Sequence, residues 1–96
     1  MDAEVALSAL IALADKNRLA IFKILAQEEC LGLSASDIGK RLYIRWSTLS
    51  YHLSQLKRAG LLNSRRHART ILYSADQTTI AALFEYLNES GGTSNG

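Results

Sequence analysis

Proline is absent from the 96-residue chain, cysteine occurs once, and no Asp or Glu stands anywhere between Ile38 and Ala75. Each absence excludes something. Without proline no helix is broken from within, which favours a helical fold. The lone Cys30 rules out an intramolecular disulfide framework. With no Cys-x-x-Cys and no Cys/His cluster, a four-ligand zinc site is also missing, and a reducing cytoplasm fits that count. No apolar run approaches the roughly 18 to 20 residues that span a bilayer. Met1-Asp2-Ala3-Glu4 carries acids where a signal peptide would carry Lys or Arg. The expectation is a cytoplasmic protein with no membrane partner. Catalysis is poorly provided for as well: acids and histidines keep apart in sequence, no Gly-rich phosphate loop precedes a helix, and Cys30 has no evident base. The chain therefore reads as a non-enzyme, with no catalytic residue, metal site or cofactor.

What is present is charge of one sign in one place. Lys40, Arg41, Arg45, Lys57, Arg58, Arg65, Arg66 and Arg69 all fall in the acid-free window, so the net charge of +2 understates the local field. A merely solvated surface intersperses the two signs. A segment emptied of acids suits a polyanion, and double-stranded DNA is the expected partner.

The pattern of apolar residues divides the chain into one domain over 1–89 and a small, polar, Gly-rich tail over 90–96, expected to be flexible. Residues 2–14 read as a helix whose Ala3, Ala6, Leu7, Leu10, Ile11, Leu13 and Ala14 cover more than one stripe. Its second apolar face goes either against another subunit or into the middle of the core. At this length a modest core makes oligomerisation a reasonable expectation. After a possible cap at Asp15 or Asn17, Leu19, Ile21, Phe22, Ile24 and Leu25 make a second, core helix, and residues 28–33 a short loop. Ser34 caps a short third helix with Asp37 three residues on. Tyr43-Ile44-Arg45-Trp46 is a turn, with Ile44 plugging the core.

The stretch from Ser47 to Gly60 is the most informative. Leu49, Leu53 and Leu56 recur as one helical stripe, and Gly60 is placed to close the helix in a left-handed cap. The other face carries Thr48, Ser50, Tyr51, Ser54, Gln55 and Arg58, groups that donate or accept at base edges and phosphates, with no acid among them. A short helix, a turn and a helix with such a face make a helix-turn-helix. Leu61 to Arg66 and Thr70 to Ser74 then read as two strands around His67-Ala68-Arg69, held to the helices through Leu61, Leu62, Ile71 and Tyr73. Their cationic tip is a wing. A final helix, capped by Asp76 or Thr78, presents Ile80, Leu83, Phe84 and Leu87. The fold expected is mainly α with a β-hairpin wing, a winged helix-turn-helix that dimerises through its first and last helices, with Leu7, Leu10, Ile11, Ile80, Leu83, Phe84 and Leu87 at the interface.

In this arrangement Thr48, Ser50, Tyr51 and Gln55 are expected at bases, Arg45, Ser47 and Arg58 at nearby phosphates, and Arg65, Arg66, His67 and Arg69 in the wing. Trp46 is either a core plug or lies with Arg45 against the DNA backbone. His52 shares the Leu49 and Leu56 face and is expected to be partly buried and bonded locally. A homodimer would hold two recognition helices about one DNA turn apart over an inverted-repeat operator and repress by occluding a promoter. The competing function is a winged helix that binds protein, which would keep the leucine stripe but have no reason to exclude acids.

The order of elements resembles the ArsR/SmtB family of small dimeric bacterial repressors. The matching residues are Leu10-Ile11-Ala12-Leu13-Ala14-Asp15, Arg18-Leu19-Ala20-Ile21, Ser47-Thr48-Leu49-Ser50-Tyr51-His52-Leu53, Leu56, Ala59-Gly60-Leu61 and Ile71-Leu72-Tyr73-Ser74. The resemblance implies a bacterial regulator, nucleoid-associated when bound. It also implies metal or metalloid sensing in many members, and here the ligands depart from the pattern. Ser34-Ala35-Ser36-Asp37 has hydroxyls where one site type has thiolates, Ser90 follows the last helix without cysteines, and that helix has no histidine. Serine is no substitute for thiolate toward arsenic or a soft metal, so metal sensing is not expected. Natural ligand loss and engineered replacement would read alike. Cys30 is read as a small apolar residue or as a thiol needing the partner's Cys30, and the inducer is left open.

Overall fold

The computed structural model describes residues 1–27 and 31–94, with side chains described to residue 89. Glu28, Glu29 and Cys30 lie outside the described residues, and both readings of the thiol with them. In chain order the elements are α1 (Ala3–Leu13), α2 (Lys16–Gln27), β1 (Leu33–Ser34), α3 (Ala35–Leu42), α4 (Trp46–Arg58), β2 (Leu62–His67), β3 (Thr70–Ala75) and α5 (Gln77–Ser94). The helical assignment of α5 runs past residue 89, where the tail was expected to begin.

Side-chain caps set most of the helix starts. Asp2 accepts from the Val5 amide at 2.9 Å, and Asp15 takes the amides of Asn17 (2.9 Å) and Arg18 (3.1 Å). Ser34 Oγ accepts from Asp37 N at 3.1 Å, and Asp76, not Thr78, holds Thr79 N at 3.0 Å. Each such bond satisfies a donor that the first helical turn leaves without a partner. At the other end of α4, Gly60 adopts φ +81° while Gly60 N bonds to Lys57 O and Leu61 N to Leu56 O, both at 3.0 Å. That pair of bonds is a Schellman ending.

Leu49, Leu53 and Leu56 of α4 are buried with Ile21, Phe22 and Leu25 of α2, Ile38 of α3, Ala6, Ala9 and Ala12 of α1, and Leu61 and Leu62 at the start of the wing. Each fully buried leucine contributes roughly 1.5–3 kcal/mol, so this cluster fixes how α4 sits. Gly39 lets α3 and α4 cross closely: a Cβ there would stand 3.1 Å from Ile44 O and 3.4 Å from Leu49 Cδ2. Ile44 packs against the core as expected.

Three sequence expectations are corrected. Residues 33–34 form a strand, not the end of a loop, and it pairs antiparallel with β3 (Leu33 opposite Tyr73, Ser34 opposite Leu72), making a sheet of order β1-β3-β2. Leu83 is only 1% exposed and belongs to the core, so it is withdrawn from the dimer face. It neighbours Phe84 at 100° around the helix, and the two cannot point the same way. Leu19 and Ile71 are exposed at 45% and 44%, so neither contributes the core packing assigned to it.

The hairpin turn is tighter than read from sequence. His67 pairs with Thr70, which leaves Ala68-Arg69 as a two-residue loop with Ala68 at φ +60°. A positive φ at the first central position suits glycine, and an L-residue there costs roughly 1–2 kcal/mol. Ala68→Gly should therefore stabilise the chain by a few tenths to about 1 kcal/mol, because the extra freedom of glycine in the unfolded state offsets part of the gain. Chemical denaturation reads this directly, and a loss of stability would mean that Ala68 is unstrained.

Candidate nucleic-acid interface

A helix advances 100° per residue, so the buried Leu49, Leu53 and Leu56 place Ser47, Tyr51, Ser54 and Arg58 in a single stripe on the opposite side. All four are exposed, Tyr51 at 57%. Thr48 and Gln55 lie to one flank of this stripe. Thr48 is exposed, whereas Gln55 is half-buried and lines, with Arg58, a cleft bounded by Ser8, Ile11 and Ala12 of α1. Ser50 is half-buried on the other flank, where Trp46, Ser50, Ser54 and Lys57 share a groove with Tyr73 of β3.

The start of α4 is cationic and carries no side-chain cap. Arg45 is its N-cap residue but makes no side-chain cap bond, so the first amides of the helix stay available at the positive end of its dipole. Trp46 opens the helix and is 65% exposed, which settles against the core plug. Tyr43, just before it, is 95% exposed with a left-handed backbone (φ 56°, ψ 46°) as the C-cap of α3.

The wing stands beside this helix. Lys57 Nζ donates to Ser64 Oγ at 2.5 Å, tying α4 to β2. Along β2, Arg66 shares a face with Leu62 and Ser64, while Arg65 and His67 project from the other. Arg65, Arg66, His67 and Arg69 are all exposed. The sequence set Ser54 on the polar face of this helix and Lys57 among the cations of the acid-free window without giving either a contact, and placed Tyr43 only in the turn. The outward position of Ser54 was available from helical spacing, but the bond from Lys57 depends on how the hairpin folds back and leaves no local signature.

His52 is 7% exposed, beneath the recognition face. Its partners are not local. Nδ1 lies 3.2 Å from Arg18 Nη1, and Nε2 is 3.9 Å from Asp15 Oδ2. The ring also meets Tyr51, with centroids 5.5 Å apart and planes tilted by 59°. The Asp15 carboxyl is held below its ordinary pKa of 3.8, chiefly by the Arg18 amide bond, against an opposing effect of desolvation. Among the described residues no group of three or more His, Cys, Asp and Glu is gathered so as to hold a metal ion, and no helix is long and apolar enough to cross a membrane.

Comparison with known proteins gives the same picture. Residues 13–65 match the family described as a helix-turn-helix domain. The transcriptional activator HlyU of Vibrio cholerae is 38% identical over 77 residues, which is 80% of this chain and 68% of HlyU. An ArsR-like transcriptional regulator from Rhodococcus sp. RHA1 superposes with a TM-score of 0.88 at 26% identity, covering 96% of this chain and 84% of that one. This chain belongs to the ArsR/SmtB family. Also similar in structure is Mb0332 of Mycobacterium bovis, a possible ArsR-family transcriptional regulator solved as a homodimeric winged helix-turn-helix DNA-binding domain (TM-score 0.73, 27% identity, 93% of this chain and 80% of that one). As an ArsR/SmtB protein the chain is a DNA-binding transcriptional regulator.

Proposed function

We propose that the chain acts as a homodimeric repressor that places two copies of α4 in successive major grooves of an inverted-repeat operator. The observation that carries this reading is the outward stripe of α4, polar and cationic from Ser47 to Arg58, set beside an arginine-bearing wing in a region with no acid. Thr48, Ser50, Tyr51 and Gln55 read bases. Arg45, Ser47 and Arg58 hold adjacent phosphates, with Trp46 against the backbone at the helix start. Arg65, Arg66, His67 and Arg69 follow the backbone or the neighbouring minor groove. Repression follows from occluding a promoter.

Dimerisation is supported by apolar side chains with no cover in the protomer. On α1 these are Leu7 (57% exposed), Leu10 (40%) and Ile11 (60%), and on α5 Phe84 (61%) and Leu87 (44%), with Ile80 half-buried beside them. Exposed apolar side chains on two helices that pack together suit an interface, and the homodimeric relative from Mycobacterium bovis supports the same use.

Anisotropy titrations with duplex DNA at low and moderate salt test the reading. Binding should weaken steeply and linearly in log K against log salt, because each phosphate contact releases counterions. Arg69→Ala should weaken all duplexes alike and reduce that slope by about one per protomer, whereas Tyr51→Ala should cost roughly 1–3 kcal/mol on the preferred sequence only. Trp46 is the sole tryptophan, and its fluorescence should change on binding. Absence of duplex binding at low salt would favour the protein-binding winged helix instead.

A further inference from the structure

Arg18 bonds to two helices besides its own. Its Nε donates to the Ala12 carbonyl of α1 at 2.6 Å, and its Nη1 lies 3.2 Å from Nδ1 of the buried His52 of α4. Its backbone amide is held by Asp15, the cap of α2. Guanidinium has donors and no acceptor, so in this contact His52 Nδ1 is the accepting side, while Nε2 faces Asp15 Oδ2 at 3.9 Å. The His52 ring in turn touches Tyr51, which stands in the outward stripe. A connected path therefore runs from a carbonyl of α1, through Arg18 and His52, to a side chain on the DNA-facing surface. No lysine reproduces it, because a single ammonium lacks the rigid fork that aims two donors at once.

We propose that Arg18 is a positioning residue for DNA recognition: it fixes the angle of α4 against α1 and the pose of Tyr51. In a dimer joined through α1 and α5, that angle sets the separation and phase of the two recognition helices. The inference rests on the homodimeric reading above. One added base pair between half-sites moves them apart by about 3.4 Å and rotates them by about a tenth of a turn, so the tolerated spacing reports the angle.

The test uses duplexes selected by the wild-type chain from a random-sequence library, each compared with a version carrying one extra central base pair. The ratio of the two affinities, taken on one protein sample, cancels any change in folded fraction. Wild type should favour the selected spacing by about tenfold. Arg18→Met, which keeps the stem and loses the donors, should remain dimeric on a sizing column and favour it by less than about threefold. His52→Leu should behave as Arg18→Met does, the double variant should be no worse than either single one, and His52→Gln, which retains an acceptor, should keep most of the discrimination. An Arg18→Met dimer with the wild-type ratio would overturn the proposal, as would additive losses in the double variant or a monomeric Arg18→Met. A wild-type dimer that binds duplex with no spacing preference would overturn the paired-helix reading together with this one.

Discussion

Replacing Gly32 with alanine is expected to lower the unfolding midpoint by on the order of 10 to 20 °C, from a cost of roughly 2 to 4 kcal/mol in a domain of this size. Two effects combine. Gly32 sits at φ +103°, where an L-residue is strained, and a Cβ there would stand 2.3 Å from Tyr73 O and 3.0 Å from Tyr73 C. Both atoms are backbone, so no side chain can swing aside. The methyl fits only if β1 leaves β3, which undoes the pairing of Leu33 with Tyr73 and exposes the buried Leu33. Gly60→Ala is the control. It shares a positive φ (+81°), but the nearest foreign atom to its Cβ is Thr79 Oγ1 at 3.9 Å, so only the conformational cost of about 1 kcal/mol applies. Thermal unfolding of the two variants should separate them by several degrees. Equal losses would mean that contact with β3 plays no part.

The second large effect concerns assembly. Ile11→Asp combined with Phe84→Asp should yield a folded monomer whose affinity for an inverted-repeat duplex is about 100-fold or more below wild type, because linking two recognition helices raises the effective concentration of the second. Both side chains are mostly exposed in the protomer (60% and 61%), so the substitutions remove little from the core. Sedimentation gives the oligomeric state, far-UV circular dichroism the fold, and anisotropy the affinity. A double variant that stays dimeric would move the interface away from α1 and α5. A monomer that binds with unchanged affinity would mean that one recognition helix suffices.

The features legible in the sequence are those written in local chemistry. Caps at Asp15, Ser34 and Asp76, the left-handed Gly60 and the leucine stripe of α4 all act within a turn or two of themselves, and each lies where that chemistry puts it. β1 was not legible because two residues carry no alternation; it exists because Gly32 allows the backbone to lie against Tyr73. The division of α5 between core and surface was hidden by an apolar arc wider than one face, so Leu83 and Phe84 looked equivalent. The partner of His52 was hidden by distance along the chain: Arg18 lies 34 positions earlier. In each of these the deciding contact is tertiary, and no pattern over neighbouring residues encodes it.

Ser34 serves two elements at once: it is the last residue of β1 in the wing's sheet, and its hydroxyl caps α3. With Lys57 joining α4 to β2 at the other side, the wing is fastened to both helices of the helix-turn-helix. These two ties resist a swing of the wing, so a poor fit to a duplex is relieved chiefly elsewhere. The adjustment falls to the DNA. Operators should therefore be ranked partly by how easily their steps bend or their minor groove narrows, at base pairs that no side chain reaches.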